Sequence, residues 1–271
     1  MKDNKLPVFI AAAVALLILP LVAQLFGNAW VRIIDIALLY VLLALGLNIV
    51  VGYAGLLDLG YVAFYAVGAY IFGLLASGHL TETFPAIAAM FPQGLHMPIL
   101  LVIPLAAGVA GLAGVLLGAP TLRLRGDYLA IVTLGFGEII RVFLNNLDHP
   151  VNITNGPKGI GPIDSMHFFG FDLGQKHELF GLEIPPVTNY YYVFLALVVA
   201  SVVICYRLER SRIGRAWMAI REDEIAAKAM GINTRNMKLL AFGMGATFGG
   251  VAGVMFAGYQ SFITPEAFSL Q

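Results

Sequence analysis

Residues 207–238 read RLERSRIGRAWMAIREDEIAAKAMGINTRNMK, and this charged stretch separates two long apolar runs. It contains eight of the sixteen Lys and Arg residues of the 271-residue chain. A segment this basic resists translocation across a bilayer and stays on the cytoplasmic side. The stretch therefore predicts a membrane protein with one dominant cytoplasmic loop, and it is where we expect a cytoplasmic partner to bind.

The composition agrees with a membrane location. The chain is 59% hydrophobic and 12% charged, whereas soluble domains contain about 25% charged residues. Thirty glycines suit close packing between helices in lipid. The net charge of zero gives no signal for a nucleic-acid partner, and the single cysteine, Cys205, excludes a disulfide framework and a cysteine-based metal site.

Seven apolar segments are long enough, or nearly so, to cross a bilayer as helices, which takes about 20 residues within a range of about 17–25. We therefore predict an all-α polytopic transmembrane bundle that forms a single domain over residues 1–271. The first segment is longer than the roughly 7–15 apolar residues of a secretory signal, so we expect it to be retained. The segments comprise residues 7–26, 33–51, 54–75, 99–119, 128–144, 190–206 and 239–262.

The orientation follows from the basic residues of the loops. With residues 207–238 in the cytoplasm, residues 145–188 form a periplasmic loop and the N-terminus is cytoplasmic. Arg32 falls on the outer side, against the rule. The other basic residues near predicted inner ends agree with this orientation; they are Lys2, Lys5, Arg123 and Arg125.

The third segment is predicted to be a broken or re-entrant helix. Only Gly52 and Tyr53 separate it from the second segment, and residues 55–60 include Asp58. Irregular backbone at membrane depth survives only inside protein or along a water-filled cavity. Asp58 either lines a pathway or caps the broken helix, and Asn48 is a second candidate for a pathway or structural role.

Three other ionisable residues lie in or beside predicted spans, where charge costs several kcal/mol. Glu138 and Arg141 are three residues apart on one helix face, so they either neutralise each other or belong to a pathway. Asp35 is expected to begin a helix, where the helix dipole favours an anion.

The last span carries glycines at four-residue spacing, Gly245, Gly249 and Gly253. Small residues at this spacing let two helices approach closely. We expect this helix to pack tightly on another one, either within the chain or at a subunit interface. The outer sequence TNGPKGIGP, residues 154–162, is rich in turn formers and is either a structured turn or a docking surface.

No pattern of catalytic residues is found, and the chain is predicted not to be an enzyme. All five histidines fall in predicted outer loops without the spacing of a metal site. The sequence G-x-x-x-x-G-K-[ST] is absent, so no nucleotide cofactor is expected in this chain and any ATP must be bound by a partner.

Within the charged loop, residues 222–230 are predicted to form a short helix. Acidic residues occupy its first turn, where the dipole favours them, and Gly231 is placed to end it. About nine residues are too few for a stable isolated helix. The small side chains of the adjacent alanines Ala226 and Ala227 would let the groove of a partner protein approach this helix closely. Binding to a membrane surface is the alternative.

Four stretches resemble the permease subunits of ABC importers, most closely the LivM-type subunit of the branched-chain amino acid family. The first is GRAWMAIREDEIAAKAMGIN, residues 214–233, which resembles the cytoplasmic coupling loop of that family. The others are ALGLNIVVGYAGLLDLGYVAFYAVGAY, RGDYLAIVTLGFGEIIR and TNGPKGIGPI, at residues 44–70, 125–141 and 154–163.

The resemblance implies a permease in the bacterial inner membrane that pairs with a second permease. Two ABC ATPase subunits would dock on the coupling loops, and a periplasmic binding protein would deliver hydrophobic amino acids. Ala226, Ala227 and Gly231 match the family signature Glu-Ala-Ala-x-x-x-Gly. The signature Glu is replaced by Ile225, with Glu224 one place earlier. The ATPase-coupling residues are therefore expected to be Glu224, Ile225, Ala226, Ala227, Met230 and Gly231.

Two other functions remain open from the sequence. Similar permeases are associated with urea or short amides. An ion-coupled secondary transporter would use Asp58 or Glu138 and would show two similar halves, but no clear internal repeat is present. Members of the resembled family also continue with at least one more apolar segment, so we expect this sequence to be a fragment.

Overall fold

The computed structural model describes residues 6–92, 94–121, 124, 126–168, 170–179 and 182–269. The predictions that concern Lys2, Lys5, Arg123 and Arg125 lie outside these residues.

The first half of the chain forms helices α1 (Leu6–Leu25), α2 (Asn28–Asn48), α3 (Val62–Leu75), α4 (His79–Thr83), α5 (Pro85–Met90) and α6 (Ile99–Thr121). A π-helical turn, Ile49–Tyr53, extends α2. The second half contains α7 (Asp127–Asn146), α8 (Pro186–Glu209), α9 (Arg212–Glu222), α10 (Glu224–Ala229) and α11 (Thr234–Gln260).

The outer part between α7 and α8 contains a 3-10 turn, Gly156–Lys158, and two small antiparallel hairpins. The first hairpin pairs β1 (His167–Phe168) with β2 (Phe171–Asp172), and the second pairs β3 (His177–Leu179) with β4 (Leu182–Ile184). A further 3-10 turn, Pro265–Phe268, follows α11. The prediction of a helical fold is confirmed in its main part, and the β structure of the described residues is limited to these short hairpins and one antiparallel bridge between Ile160 and Ile263.

Helix α11 lies at the centre of the bundle. It packs along α6 and α3 and also contacts α2. Helix α8 packs on α2 and meets α11 where Tyr190 and Phe194 contact Tyr259, and α1 rests against α2 and α8. The main apolar core lies between these helices and includes Phe72, Phe194 and Met255. Helix α7 packs more peripherally, against α3 and α6.

Glycines set the distance between the central helices. A Cβ at Gly253 of α11 would overlap the backbone carbonyl of Tyr65 in α3, and one at Gly68 would overlap the carbonyl of Gly250. A Cβ at Gly245 would instead overlap the Val50 side chain in the π-helical turn. The close approach predicted for this stripe of small residues therefore occurs between helices of the same chain.

Four described helical segments are long and apolar enough to cross a membrane: Asn28–Tyr53, Ile99–Thr121, Pro186–Glu209 and Thr234–Gln260. Two shorter apolar helices are Ile10–Leu25 and Val62–Leu75. The fifth predicted segment forms α7, which carries Asp127, Glu138 and Arg141 and is not among the four. A bundle of apolar helices is thus present, although not every predicted segment meets the length and composition of a span.

Between the π-helical turn and α3 the chain is not helical over residues 54–61. We call this segment the helix break. Gly55 has a φ of +68°, a conformation that glycine adopts without strain, and the Leu56 N–H bonds to the Val50 carbonyl at 3.1 Å. The sequence placed the irregular backbone correctly, because Gly52, Gly55 and Gly60 interrupt an otherwise apolar run.

Candidate functional site

Helix α9 is fixed to the bundle by a buried tryptophan. Trp217 is fully buried, and its Nε1–H donates to the Met237 carbonyl of α11 at 2.7 Å. Ser211 caps the start of α9 by accepting the Gly214 N–H at 3.1 Å. A Cβ at Gly214 would overlap the Leu208 carbonyl, so a glycine is needed where α8 turns into α9. The charged loop therefore begins as a firmly packed helix.

Helix α10 follows α9 after a single residue, Asp223. Its carboxylate accepts the N–H groups of Ile225 and Ala226 at 2.8 and 3.1 Å, which makes it an N-cap. The predicted helix over 222–230 is therefore shorter in the structure, because Asp223 ends α9 and starts α10. At the other end Gly231 has a φ of +85°.

The end of α10 is a Schellman motif. The Ile232 N–H bonds to the Ala227 carbonyl at 3.1 Å, and the Gly231 N–H bonds to the Lys228 carbonyl at 3.0 Å. Gly231 thus ends the helix as its position in the sequence predicts. Caps at both ends stabilise a helix of six residues that would not persist alone.

Two residues predicted to form the docking surface face the protein instead. Ala227 is only 4% exposed, so it packs α10 onto the bundle and cannot meet a partner. The Glu224 carboxylate pairs with Lys238 of α11 at 2.8 Å. The sequence did not show that Ala227 is buried while Ala226 is exposed, because six residues are too few to show which helix face is buried.

The opposite face of α10 is strongly exposed. Ile225 is 74% exposed and Met230 is 84% exposed. Ala226, Ala229 and Gly231 are exposed beside them. The role of this face in binding a partner therefore stays a prediction. We call Ile225, Ala226, Ala229, Met230 and Gly231 the exposed face of α10.

The charged loop also touches the helix break. The Arg221 guanidinium, in the last turn of α9, donates to the Gly52 carbonyl at the end of the π-helical turn. Asn48, one turn earlier, is exposed, and a Cβ at Gly52 would overlap its Oδ1. An open pocket of about 230 Å³ lies between the loop and the break. The charged loop and the helix break, two separate features of the sequence, are therefore neighbours in the structure.

Asp58 lies inside the break and is 4% exposed. Its Oδ1 accepts the Gly60 N–H at 2.9 Å, while its Oδ2 has no hydrogen-bond partner among the described residues. The neighbouring Leu59 N–H donates to Thr133 Oγ1 of α7 at 3.0 Å. The Asp58 carboxylate therefore stabilises a local turn, and this turn packs against α7.

The substitution Asp58→Asn is expected to leave uptake within about twofold of the parent chain, because asparagine keeps an Oδ1 acceptor for the Gly60 N–H. Asp58→Ala removes the acceptor and should lower the thermal stability of the purified chain. Initial uptake rates in cells with matched amounts of membrane protein provide the measurement. A severe loss in Asp58→Asn with normal assembly would instead give Asp58 a role in the pathway.

Asp35 does not begin a helix as expected. Helix α2 starts at Asn28, so Asp35 lies two turns inside it and is fully buried. Its carboxylate lies beside the Tyr259 hydroxyl of α11, with Arg32 of α2 nearby. The expectation failed because the polar residues before position 33 continue the helix rather than precede it.

Glu138 and Arg141 form a forked ion pair on α7. The Arg141 Nε donates to both carboxylate oxygens of Glu138 at 3.0 Å. Both side chains are partly exposed, Glu138 by 51% and Arg141 by 30%. The two residues neutralise each other as the three-residue spacing predicts, on a face of α7 that the described residues leave partly exposed.

The glycine-rich outer stretch is an ordered turn packed on the bundle. Thr154 Oγ1 donates to the Leu144 carbonyl at 2.7 Å, and Asn155, with a φ of +61°, donates its Nδ2 hydrogen to the Gly159 carbonyl at 2.8 Å. A Cβ at Gly159 would overlap the Ile263 carbonyl. This turn therefore joins the outer loop to the segment that follows α11.

A second ordered point of the outer loop is Asp172. It accepts hydrogen bonds from Ser165 Oγ at 2.6 Å and from the Gly174 N–H at 2.9 Å. Burial raises the pKa of this carboxyl, but these hydrogen bonds and nearby His167 lower it, and the net pKa lies below the ordinary value. The carboxylate thus stabilises the folded loop at neutral pH and loses this contribution as the pH falls through its pKa.

The sequence did not reveal the contacts that hold the charged loop in place. Trp217, Arg221 and Lys238 bond to Met237, Gly52 and Glu224, respectively. A tryptophan in a basic loop was the one available signal, since large aromatic side chains are usually buried. The partners of Arg221 and Lys238 could not be inferred because no pattern in one sequence links positions on different helices.

Comparison with known proteins gives a consistent result. Residues 29–271 match the protein family described as branched-chain amino acid transport system / permease component. The chain is 44% identical over 269 residues to the high-affinity branched-chain amino acid transport system permease protein LivM of Escherichia coli K12. That alignment covers 94% of this chain and 59% of the E. coli protein, so the chain spans well under two thirds of that relative.

More distant relatives include a second type of permease. The chain is 27% identical over 250 residues to the probable branched-chain amino acid transport permease protein LivM of Methanocaldococcus jannaschii, covering 85% of this chain and 68% of that protein. It is also 27% identical over 237 residues to the permease protein LivH of Salmonella typhimurium, covering 83% and 68%. No solved structure matches the chain significantly.

Proposed function

Because this chain belongs to the branched-chain amino acid transport system permease family, we propose that it is a permease subunit of an ATP-driven importer. It moves branched-chain amino acids across the bacterial inner membrane and is not itself an enzyme. The observation that carries this proposal is the exposed face of α10, on which Ile225 and Met230 stand 74% and 84% exposed. ATP is bound by the partner subunits.

The exposed face of α10 is the docking site for an ATPase subunit. Ile225 and Met230 enter a groove of the ATPase in the manner of a short helix bound by its apolar residues. Ala226 and Gly231 carry little or no side chain, so the partner can approach the helix closely. Closure of two ATPases on ATP pushes two such helices and switches the pathway from outward-facing to inward-facing.

The second permease is a homologous chain, and the similarity to both LivM and LivH supports a pair of unlike subunits. The uncovered ion pair of Glu138 and Arg141 indicates where the partner or the pathway lies. Charged groups exposed to lipid are costly, so this face of α7 is covered by the second subunit or by water of the pathway. Asn48 and Asp58 are further pathway candidates.

The orientation of the chain follows from the charged loop. With α9 and α10 in the cytoplasm, α1 starts inside and the loop of residues 145–188 faces the periplasm. The multi-pass bundle then has seven crossing segments, of which α3 begins after the helix break. The ordered turn around Asn155 and the hairpin at Asp172 offer a fixed outer surface on which a periplasmic binding protein docks.

The test is purification of the full-length chain from native membranes, followed by identification of the bound proteins and measurement of leucine uptake. Recovery of a P-loop ATPase and a second permease, with ATP-dependent uptake, is the expected result. Uptake of urea or short amides in place of leucine would change the substrate but keep the importer. A chain recovered alone, with uptake that survives ATP depletion and collapses with the ion gradient, would identify a secondary transporter.

A further inference from the structure

The carbonyl of Gly52 is left without a helical partner by the break that follows it. The N–H four residues later, that of Leu56, bonds instead to the Val50 carbonyl. The Arg221 guanidinium supplies the missing donor. It also places a positive charge at the negative end of the α2 dipole. Arg221 thus caps a helix that lies more than 150 residues away in the sequence.

The stem of Arg221 makes a second contact with the break. Gly55 has a φ of +68°, and a Cβ at this position would overlap Cγ of Arg221. One side chain of the charged loop therefore covers the turn of the break and bonds to the carbonyl that precedes it. Gly55 is needed both for its backbone conformation and for the room it leaves to Arg221.

The other end of the break is bound to two spans. The Leu59 N–H donates to Thr133 of α7, and the Tyr61 hydroxyl donates to the Gly245 carbonyl of α11 at 2.8 Å. A Cβ at Gly60 would overlap the Thr133 carbonyl. The break is therefore connected at its start to the charged loop and at its end to α7 and α11.

Two of the hydrogen bonds between α9 and the rest of the described chain, those of Trp217 and Arg221, differ in how easily they can change. The Trp217 contact is fully buried, so it cannot exchange with water. The Arg221 side chain is 45% exposed, with the Glu222 carboxylate 3.9 Å away as an alternative partner. Only Asp223 separates α9 from α10, so a force on α10 is passed along α9 to Arg221, in parallel with the Glu224–Lys238 pair that joins α10 to α11. The open pocket beside Gly55 and Leu57 leaves room for the break to move.

We propose that Arg221 is a positioning residue that transmits movement of the exposed face of α10 to the helix break and so to Asp58 and α7. This inference rests on the proposed function, since it assumes that an ATPase moves α10. When α10 is pushed, Arg221 shifts or releases the Gly52 carbonyl, and the segment of residues 54–61 rearranges. ATP hydrolysis by the ATPase does not depend on the contact between Arg221 and Gly52. This contact affects only how much substrate moves for each ATP hydrolysed.

The test uses the complete transporter with its ATPases and binding protein in liposomes, and compares the parent chain with Arg221→Gln. We expect ATP hydrolysis to stay within about twofold, whereas the leucine carried per ATP falls by at least about fivefold, the lower end of common coupling effects. The control is Arg215→Gln on the same helix, since Arg215 donates to the Arg210 carbonyl within the loop at 2.7 Å. It should keep the parent ratio.

A spin label at position 57, introduced as Leu57→Cys with Cys205→Ala, reports on the break itself. Its spectrum should change on ATP addition in the parent and stay unchanged in Arg221→Gln. An unaltered leucine-to-ATP ratio, or a label that still responds, would overturn the inference. Loss of the ATPase subunits from Arg221→Gln would also overturn it, because Arg221 would then be a docking residue. A parent complex without ATP-dependent uptake would contradict the proposed function instead.

Discussion

Replacement of Gly253 by leucine is expected to decrease the amount of folded chain in the membrane at least about tenfold. A Cβ at this position would overlap the Tyr65 carbonyl and lie 2.6 Å from the Ala69 nitrogen of α3. These are backbone atoms of a helix and cannot rotate away as a side chain can. The larger side chain must therefore push α3 and α11 apart along their shared length.

The cost of this separation is large because the contact is central. Overpacking of a core commonly costs about 1–3 kcal/mol, and a whole domain is stable by only about 5–15 kcal/mol. Gly68 and Gly250 approach each other in the same interface, so their contact is lost as well. We therefore expect at least a tenfold decrease in the monodisperse protein recovered from detergent extracts.

The matched control is Gly108→Leu on α6. A Cβ at Gly108 meets no atom within 4 Å, so the same change in size and hydrophobicity should leave the yield and the elution profile unaltered. Normal recovery of Gly253→Leu would show that α3 and α11 are not packed as described. Equal losses in both variants would indicate a general intolerance of leucine rather than a specific close approach.

The substitution Ile225→Arg is expected to reduce uptake at least tenfold while the amount of chain in the membrane stays the same. Ile225 is 74% exposed, and exposed substitutions usually change stability by less than about 0.5 kcal/mol. If an ATPase groove covers this residue, however, the guanidinium is desolvated without a partner, which costs several kcal/mol. Uptake and recovery of the ATPase by affinity purification should therefore decrease together.

The control for this prediction is Ile225→Leu, which keeps an apolar side chain of equal volume and should transport normally. Wild-type uptake by Ile225→Arg would eliminate the exposed face of α10 as a docking surface. Ala227→Arg is a poor substitute for this experiment. Because Ala227 is buried, an arginine there would dislodge α10 from the bundle and would remove the docking surface and the local fold at once.

Most of the fold could be predicted because its signals are local. Apolar length identifies the long helices, charge identifies the loop, and Gly231 and Asp58 occupy turns whose conformation their own residue types favour. The exact helix starts were less accessible: α2 begins at Asn28 rather than near residue 33. The predicted segment starts after Arg32 because it was identified as a continuous apolar run. A long cationic side chain is nevertheless well tolerated inside a helix.

The candidate site was only half accessible from the sequence. Ile225 and Met230 could be assigned to a docking helix from its composition, but the inward orientation of Ala227 and Glu224 depends on how α10 rests on α11. Likewise Asp58 and Arg221 were visible as separate polar residues. Their connection through Gly52 and Gly55 arises from the tertiary packing of α9, which a single sequence does not encode as a pattern.

The two tryptophans of this chain give it a built-in optical reporter. Trp217 is fully buried at the junction of α9 and α11, whereas Trp30, at the start of α2, is 57% exposed on the opposite end of the bundle. A quencher dissolved in the lipid should quench the fluorescence of Trp30 but not that of Trp217. The residual fluorescence therefore comes from the base of the charged loop, and its wavelength records whether that junction stays dry.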